Sequence, residues 1–116
     1  MRPALDHYAR CLALVGDLPN VGASRWWNTP ALAARKKSFA RMKDEATLVL
    51  LLPLETKEML MQAKPEVFHE TDHYRGYPAL LVRLDTIDDD ELALWLRRSW
   101  ATVACKTDLA AAGAAR

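Results

Sequence analysis

The chain is poor in the residues that punctuate and staple small folds. Its 116 residues include four glycines, two cysteines and three histidines. Four scattered glycines leave no phosphate-cradling loop, which needs glycines clustered ahead of a helix. Cys11 and Cys105 lie near opposite ends of the chain, so they make neither a Cys-x-x-C redox pair nor a zinc knuckle. Reduced thiols in a cytoplasmic protein are the simpler expectation. Long apolar runs are missing too. The longest, Leu48 to Leu54, contains Pro53 and falls far short of the roughly 20 residues that span a bilayer. Near the N-terminus, Asp6, His7 and Arg10 interrupt the apolar stretch a signal peptide would need. An excess of one charge is also lacking. Sixteen Lys plus Arg face 15 Asp plus Glu, a formal net charge of +1, which argues against a strongly basic nucleic-acid binder.

What is present is material for a core. Hydrophobic residues make up 51% of the chain, and the length suits one domain. Leu5, Tyr8, Leu12 and Val15 recur at helical spacing and Gly16 follows, which predicts a helix over about residues 3–15. Asp17 to Gly22 reads as a loop. Arg25 to Met42 reads as two strands around a turn near Asn28–Pro30, with Lys37, Phe39 and Arg41 on one face. Thr47 to Leu52 is a continuous aliphatic run, as in a central strand covered on both faces. Glu55 to Lys64 is a helix stopped by Pro65. Val67–Thr71 is extended, and Arg75–Pro78 is a turn or bulge in which Gly76 is suited to a backbone conformation other residues resist. Ala79–Leu84 is a further strand. Asp88, with Glu91 three residues on and Ile87 and Leu92 as a hydrophobic staple, starts a last helix. Leu92, Trp95, Leu96, Ser99 and Val103 share its face. The predicted fold is α+β: a two-layer sandwich of antiparallel sheet with helices on one face, in the order α-β-β-β-α-β-β-α. Residues 1–106 form the domain and 107–116 an Ala-rich, frayed tail.

The segment Pro65 to Leu84, PEVFHETDHYRGYPALLVRL, resembles the MmcQ/YjbR family. So do Ser99-Trp100 and Ala104-Cys105-Lys106 in the last helix, the Asn28-Thr-Pro-Ala31 turn and the Lys37-Ser-Phe-Ala40 strand. The resemblance spans about residues 4–106. It implies a fold akin to CyaY-like and secretion-chaperone-like domains. Some members are likened to a double-wing phage transcription factor domain, which is the origin of their label "DNA-binding protein". Two departures stand out. Arg25-Trp26-Trp27-Asn28 replaces a small residue followed by Tyr-Gly, and Cys105 stands where Pro is usual.

Three constellations could carry function. His69-Glu70-Thr71-Asp72-His73 matches the zinc-protease pattern H-E-x-x-H. That chemistry needs a helix to aim two imidazoles at one metal. Pro65, Gly76 and Pro78 crowd the string, and the resemblance places it in a strand and loop. A metal-dependent hydrolase is the third reading, and the match is read as chance. Neither a metal, a cofactor nor a catalytic set is expected. Ser24, Ser38 and Ser99 lack a nucleophile-elbow context, and Asp88–Glu91 is explained by helix capping rather than calcium.

The second constellation lies in an acid-free stretch, Leu18 to Lys43, that holds Arg25, Arg35, Lys36, Lys37, Arg41 and Lys43 with Trp26, Trp27 and Phe39 interleaved. Cations neutralise phosphates and aromatic faces stack on bases. These six make the leading expectation: a non-enzymatic module binding DNA through a basic hairpin. A solvated edge would show the same charges. The third is His73, Tyr74, Arg75 and Tyr77 with Arg83 and Trp100, a possible pocket for a small ligand or protein partner. Packing of Tyr77 and Trp100 between sheet and helix is the alternative reading of those rings. No membrane association is expected, and the protein should be a monomer or weak dimer.

Overall fold

The computed structural model describes residues 6–114. The predicted start of the first helix, residues 3–5, and the last two residues of the tail lie outside the described residues. The elements are α1 (His7–Leu14), β1 (Val21–Trp26), β2 (Thr29–Ala34), β3 (Lys37–Asp44), β4 (Thr47–Leu51), α2 (Leu54–Ala63), β5 (Phe68–His69), β6 (Ala79–Arg83), α3 (Asp89–Val103) and α4 (Lys106–Ala114). A 3-10 turn covers Asp72–Tyr74. The six strands form one antiparallel sheet in the order β1-β2-β3-β4-β6-β5.

The α+β class and the helix-covered antiparallel sheet match expectation, but the strand count does not. Four strands, not three, precede α2. The stretch read as one long second strand folds back at Arg35–Lys36, and Val21 and Gly22 already belong to β1. No Gly, Asn, Asp or Pro marks the turn at Arg35, so turn chemistry could not reveal it. Arg35 takes a left-handed φ of 56° there. Its guanidinium binds Asp108 through Nε at 2.8 Å and Nη2 at 3.0 Å, and the Asn20 amide donates to the same carboxylate at 2.8 Å. This also corrects the frayed tail. Residues 106–114 are helical, and Asp108 of α4 is buried against the β2–β3 turn. Its carboxyl is held well below the usual range, first by the Arg35 hydrogen bonds.

The core lies between the sheet and the helices. Leu48 and Leu50 of β4, Leu80 and Val82 of β6, Leu60 of α2, and Leu92, Leu96 and Trp100 of α3 pack together. Asp88 caps α3, accepting from the Glu91 amide at 2.8 Å, as the sequence pattern requires. The opposite residues of the same strands, Val49, Ala79 and Leu81, form a second small cluster on the other face with Leu51 and Tyr74. Those two clusters explain why Leu48–Leu51 of β4 and Ala79–Val82 of β6 are continuously apolar.

β3 carries a bulge. Ala40 pairs with Leu32 but Ser38 pairs with Ala33, leaving Phe39 as the extra residue. The bulge turns Phe39 into the helix-side core beside Ala40 and Met42. Arg41, paired with Val49, therefore points to the other face. The expectation that Phe39 and Arg41 share a face is thus corrected: strict alternation fails at a bulge.

Candidate functional site

The face of the sheet away from the helices carries a cleft of about 630 Å³. Its floor is Val49, Leu51 and Ala79. Trp26 and Trp27, from the β1–β2 turn, line it together with His73, Tyr74, Tyr77 and Pro78 of the β5–β6 connection, and Arg41 adds a cation from β3. Residues that stood in two separate sequence constellations thus meet in one place.

The β1–β2 connection is the two-residue turn Trp27–Asn28, and both residues take positive φ, 53° and 61°. Two left-handed residues are the requirement of the hairpin turn whose twist matches its strands. Asn suits that conformation, whereas a bulky aromatic there is an outlier. The Trp27 side chain is 72% exposed. Within the fold it gains little burial to offset its backbone strain.

The other wall is held by a buried lysine. Lys57 of α2 is only 1% exposed, pairs with Glu70 at 3.0 Å and donates to the carbonyls of Tyr74 at 2.7 Å and Tyr77 at 2.9 Å. All three ammonium donors are thereby engaged, which makes burial tolerable. Gly76 sits between those carbonyls with φ 79°, as its place in the turn led us to expect. Tyr77 is 62% exposed at the rim. His73 meets Tyr74 edge-on, with ring centroids 4.9 Å apart. The Arg41 guanidinium donates to the Tyr74 hydroxyl. Nothing in the sequence marked Lys57, because its partners lie 13 to 20 positions away.

Other anticipated site residues fall elsewhere. Trp100 is buried in the helix-side core, across the sheet from His73 and Tyr77. Arg83 donates to the Pro65 carbonyl, and Arg75 pairs with Asp72 at 2.6 Å and Glu70 at 3.5 Å. Tyr77 is exposed rather than packed between sheet and helix. The six basic positions do not form one patch. Arg35, Lys36 and Lys37 lie at one end of the sheet and Lys43 at the other, about 20 Å away along β3. Alternation along β1 places Arg25 on the helix side, opposite to Arg41, and its guanidinium donates to the Asn28 carbonyl. Arg35 is spent on Asp108.

The H-E-x-x-H string crosses β5 and the 3-10 turn, not an α-helix. Glu70 is engaged by Lys57 and Arg75. His69, beside Leu81 on the cleft side of the sheet, has its pKa lowered, chiefly by burial and then by the nearby Arg83 and Lys43 charges. No cluster of three or more metal-type side chains occurs among the described residues. No helix among them is long and apolar enough to cross a membrane.

The family model named YjbR matches residues 16–102, three quarters of the chain. The chain belongs to the YjbR family. Among solved structures, that of Deinococcus radiodurans protein DR2400, with a DUF419 domain, is similar to this YjbR protein with a TM-score of 0.66. The two are 22% identical, and the match covers 88% of this chain and 84% of that one. At that identity the likeness concerns the fold, not the ligand. None of the curated proteins matches this YjbR chain.

Proposed function

We propose that this YjbR protein is a small non-enzymatic binding protein whose ligand occupies the cleft on the open face of the sheet. One observation carries the reading: two aromatic side chains, Trp27 and Tyr77, stand exposed over an aliphatic floor, each on a constrained turn. Binding pockets are largely apolar, preformed, and between about 300 and 1,000 Å³. The two free thiols, Cys11 and Cys105, support a reducing compartment such as the cytoplasm. A DNA-binding role through the basic stretch draws less support, since Arg35 is paired and the remaining cations divide between the two ends and two faces of the sheet.

Ligand-detected NMR with a library of small aromatic fragments tests the proposal. Fragments should bind the wild type and be lost in Trp27→Ala and Tyr77→Ala, while Lys36→Ala/Lys37→Ala binds as before. Equal binding by all variants would exclude the cleft as the site.

A further inference from the structure

The cleft has one cationic wall, formed by Arg41. Arg10, Arg35, Arg75 and Arg97 each hold a carboxylate. No carboxylate lies within 4.0 Å of the Arg41 guanidinium among the described residues. It is half-buried against the apolar floor at Val49. Its hydrogen bond goes to a neutral phenol, the Tyr74 hydroxyl. A guanidinium carries five N–H donors in a fixed fork, so several remain for a guest. The Tyr74 hydroxyl, by accepting from Arg41, is left with its own proton to donate. An anion placed at Arg41 would receive both groups, beside walls of indole, phenol and imidazole.

Resting on the binding role proposed above, we infer that the cleft takes a free aromatic anion: a planar ring carrying a carboxylate, sulfonate or phosphate. The ring lies among Trp27, Tyr77 and His73, and the anionic group sits on the Arg41 fork. A single-stranded nucleic acid needs a file of cations along its backbone, and the residues lining this cleft include one arginine and no lysine. The volume of about 630 Å³ suits a small molecule instead.

Two fluorescent probes of similar shape separate charge from ring: anilinonaphthalene sulfonate, an aromatic anion, and neutral N-phenylnaphthylamine. The native wild type should bind the anion about tenfold or more tightly than the neutral probe. Arg41→Gln should erase that preference while keeping affinity for the neutral probe, and Arg41→Lys should restore part of it. Circular dichroism shows whether each variant is folded. Equal affinity for both probes in wild type and Arg41→Gln overturns the inference but leaves an apolar cleft that binds ligands. Binding of neither probe overturns both readings. Displacement of the anion by a single-stranded oligonucleotide, weakening steeply with salt, overturns the free-molecule assignment in favour of nucleic acid.

Discussion

Trp27 sets the terms at the scale of single residues. A left-handed backbone costs an ordinary L-residue roughly 1–2 kcal/mol, and asparagine tolerates it better. Trp27→Asn should therefore raise stability, by about 0.5–1 kcal/mol in urea denaturation, while weakening cleft binding. A stability loss there would mean that the indole packs within the fold. The cysteines give a second residue-scale expectation. Burial pushes the Cys11 thiol up to about 12. At pH 8 a thiol reagent should titrate exposed Cys105 promptly and Cys11 only after unfolding.

Between elements, two polar ties hold what hydrophobic packing alone would not. Lys57 fastens α2 to the β5–β6 connection. Lys57→Met leaves Glu70 and two carbonyls without their cation, and should cost about 2–4 kcal/mol on chemical denaturation. It should also abolish ligand binding at the cleft, whose Tyr77 wall it anchors. Arg35, Asn20 and Asp108 fasten α4 to the β2–β3 turn. The Asp108 pKa is depressed in the folded chain, so the unfolded chain binds its proton more readily. Stability from this tie is full above the ordinary Asp pKa of about 4 and is lost as pH falls toward the lower folded value. In Asp108→Asn that acid-sensitive component should vanish. Hydrogen exchange should then show faster amides across Lys106–Ala114 at neutral pH.

Both ties were invisible in the sequence for the same reason: their partners lie far apart along the chain. Local signals read well. The Asp88–Glu91 cap, the Pro65 stop, the apolar runs of β4 and β6 and the Gly76 turn were all legible, because each depends on neighbours within a few residues. The Arg35–Lys36 turn was not, since a distant carboxylate supports a conformation its own residues disfavour. The Phe39 bulge likewise hides in a segment that alternates plausibly without it. For the site, His73, Tyr74, Tyr77, Arg41, Trp26 and Trp27 were each singled out. Their meeting in one cleft was not foreseeable, because sheet order and the β3 bulge decide which side chains share a face.

For the whole molecule, the near-zero net charge conceals an uneven distribution, and the fold spreads it further. Residues 1–58 carry nine basic and six acidic groups, yet the cations of the acid-free stretch, Arg25 to Lys43, do not converge on one surface. The family resemblance that brings a DNA-binding label with it therefore covers the fold, and the ligand is a matter for the proposed cleft to be tested on. Chemical-shift mapping of the isotopically labelled chain with an aromatic anion tests this most directly. The account predicts perturbed amides at Arg41, Val49, Leu51, His73–Tyr77 and Ala79, with shifted indole N–H signals of Trp26 and Trp27. Perturbations confined to the Arg35–Lys37 turn, or none at saturating ligand, would contradict it.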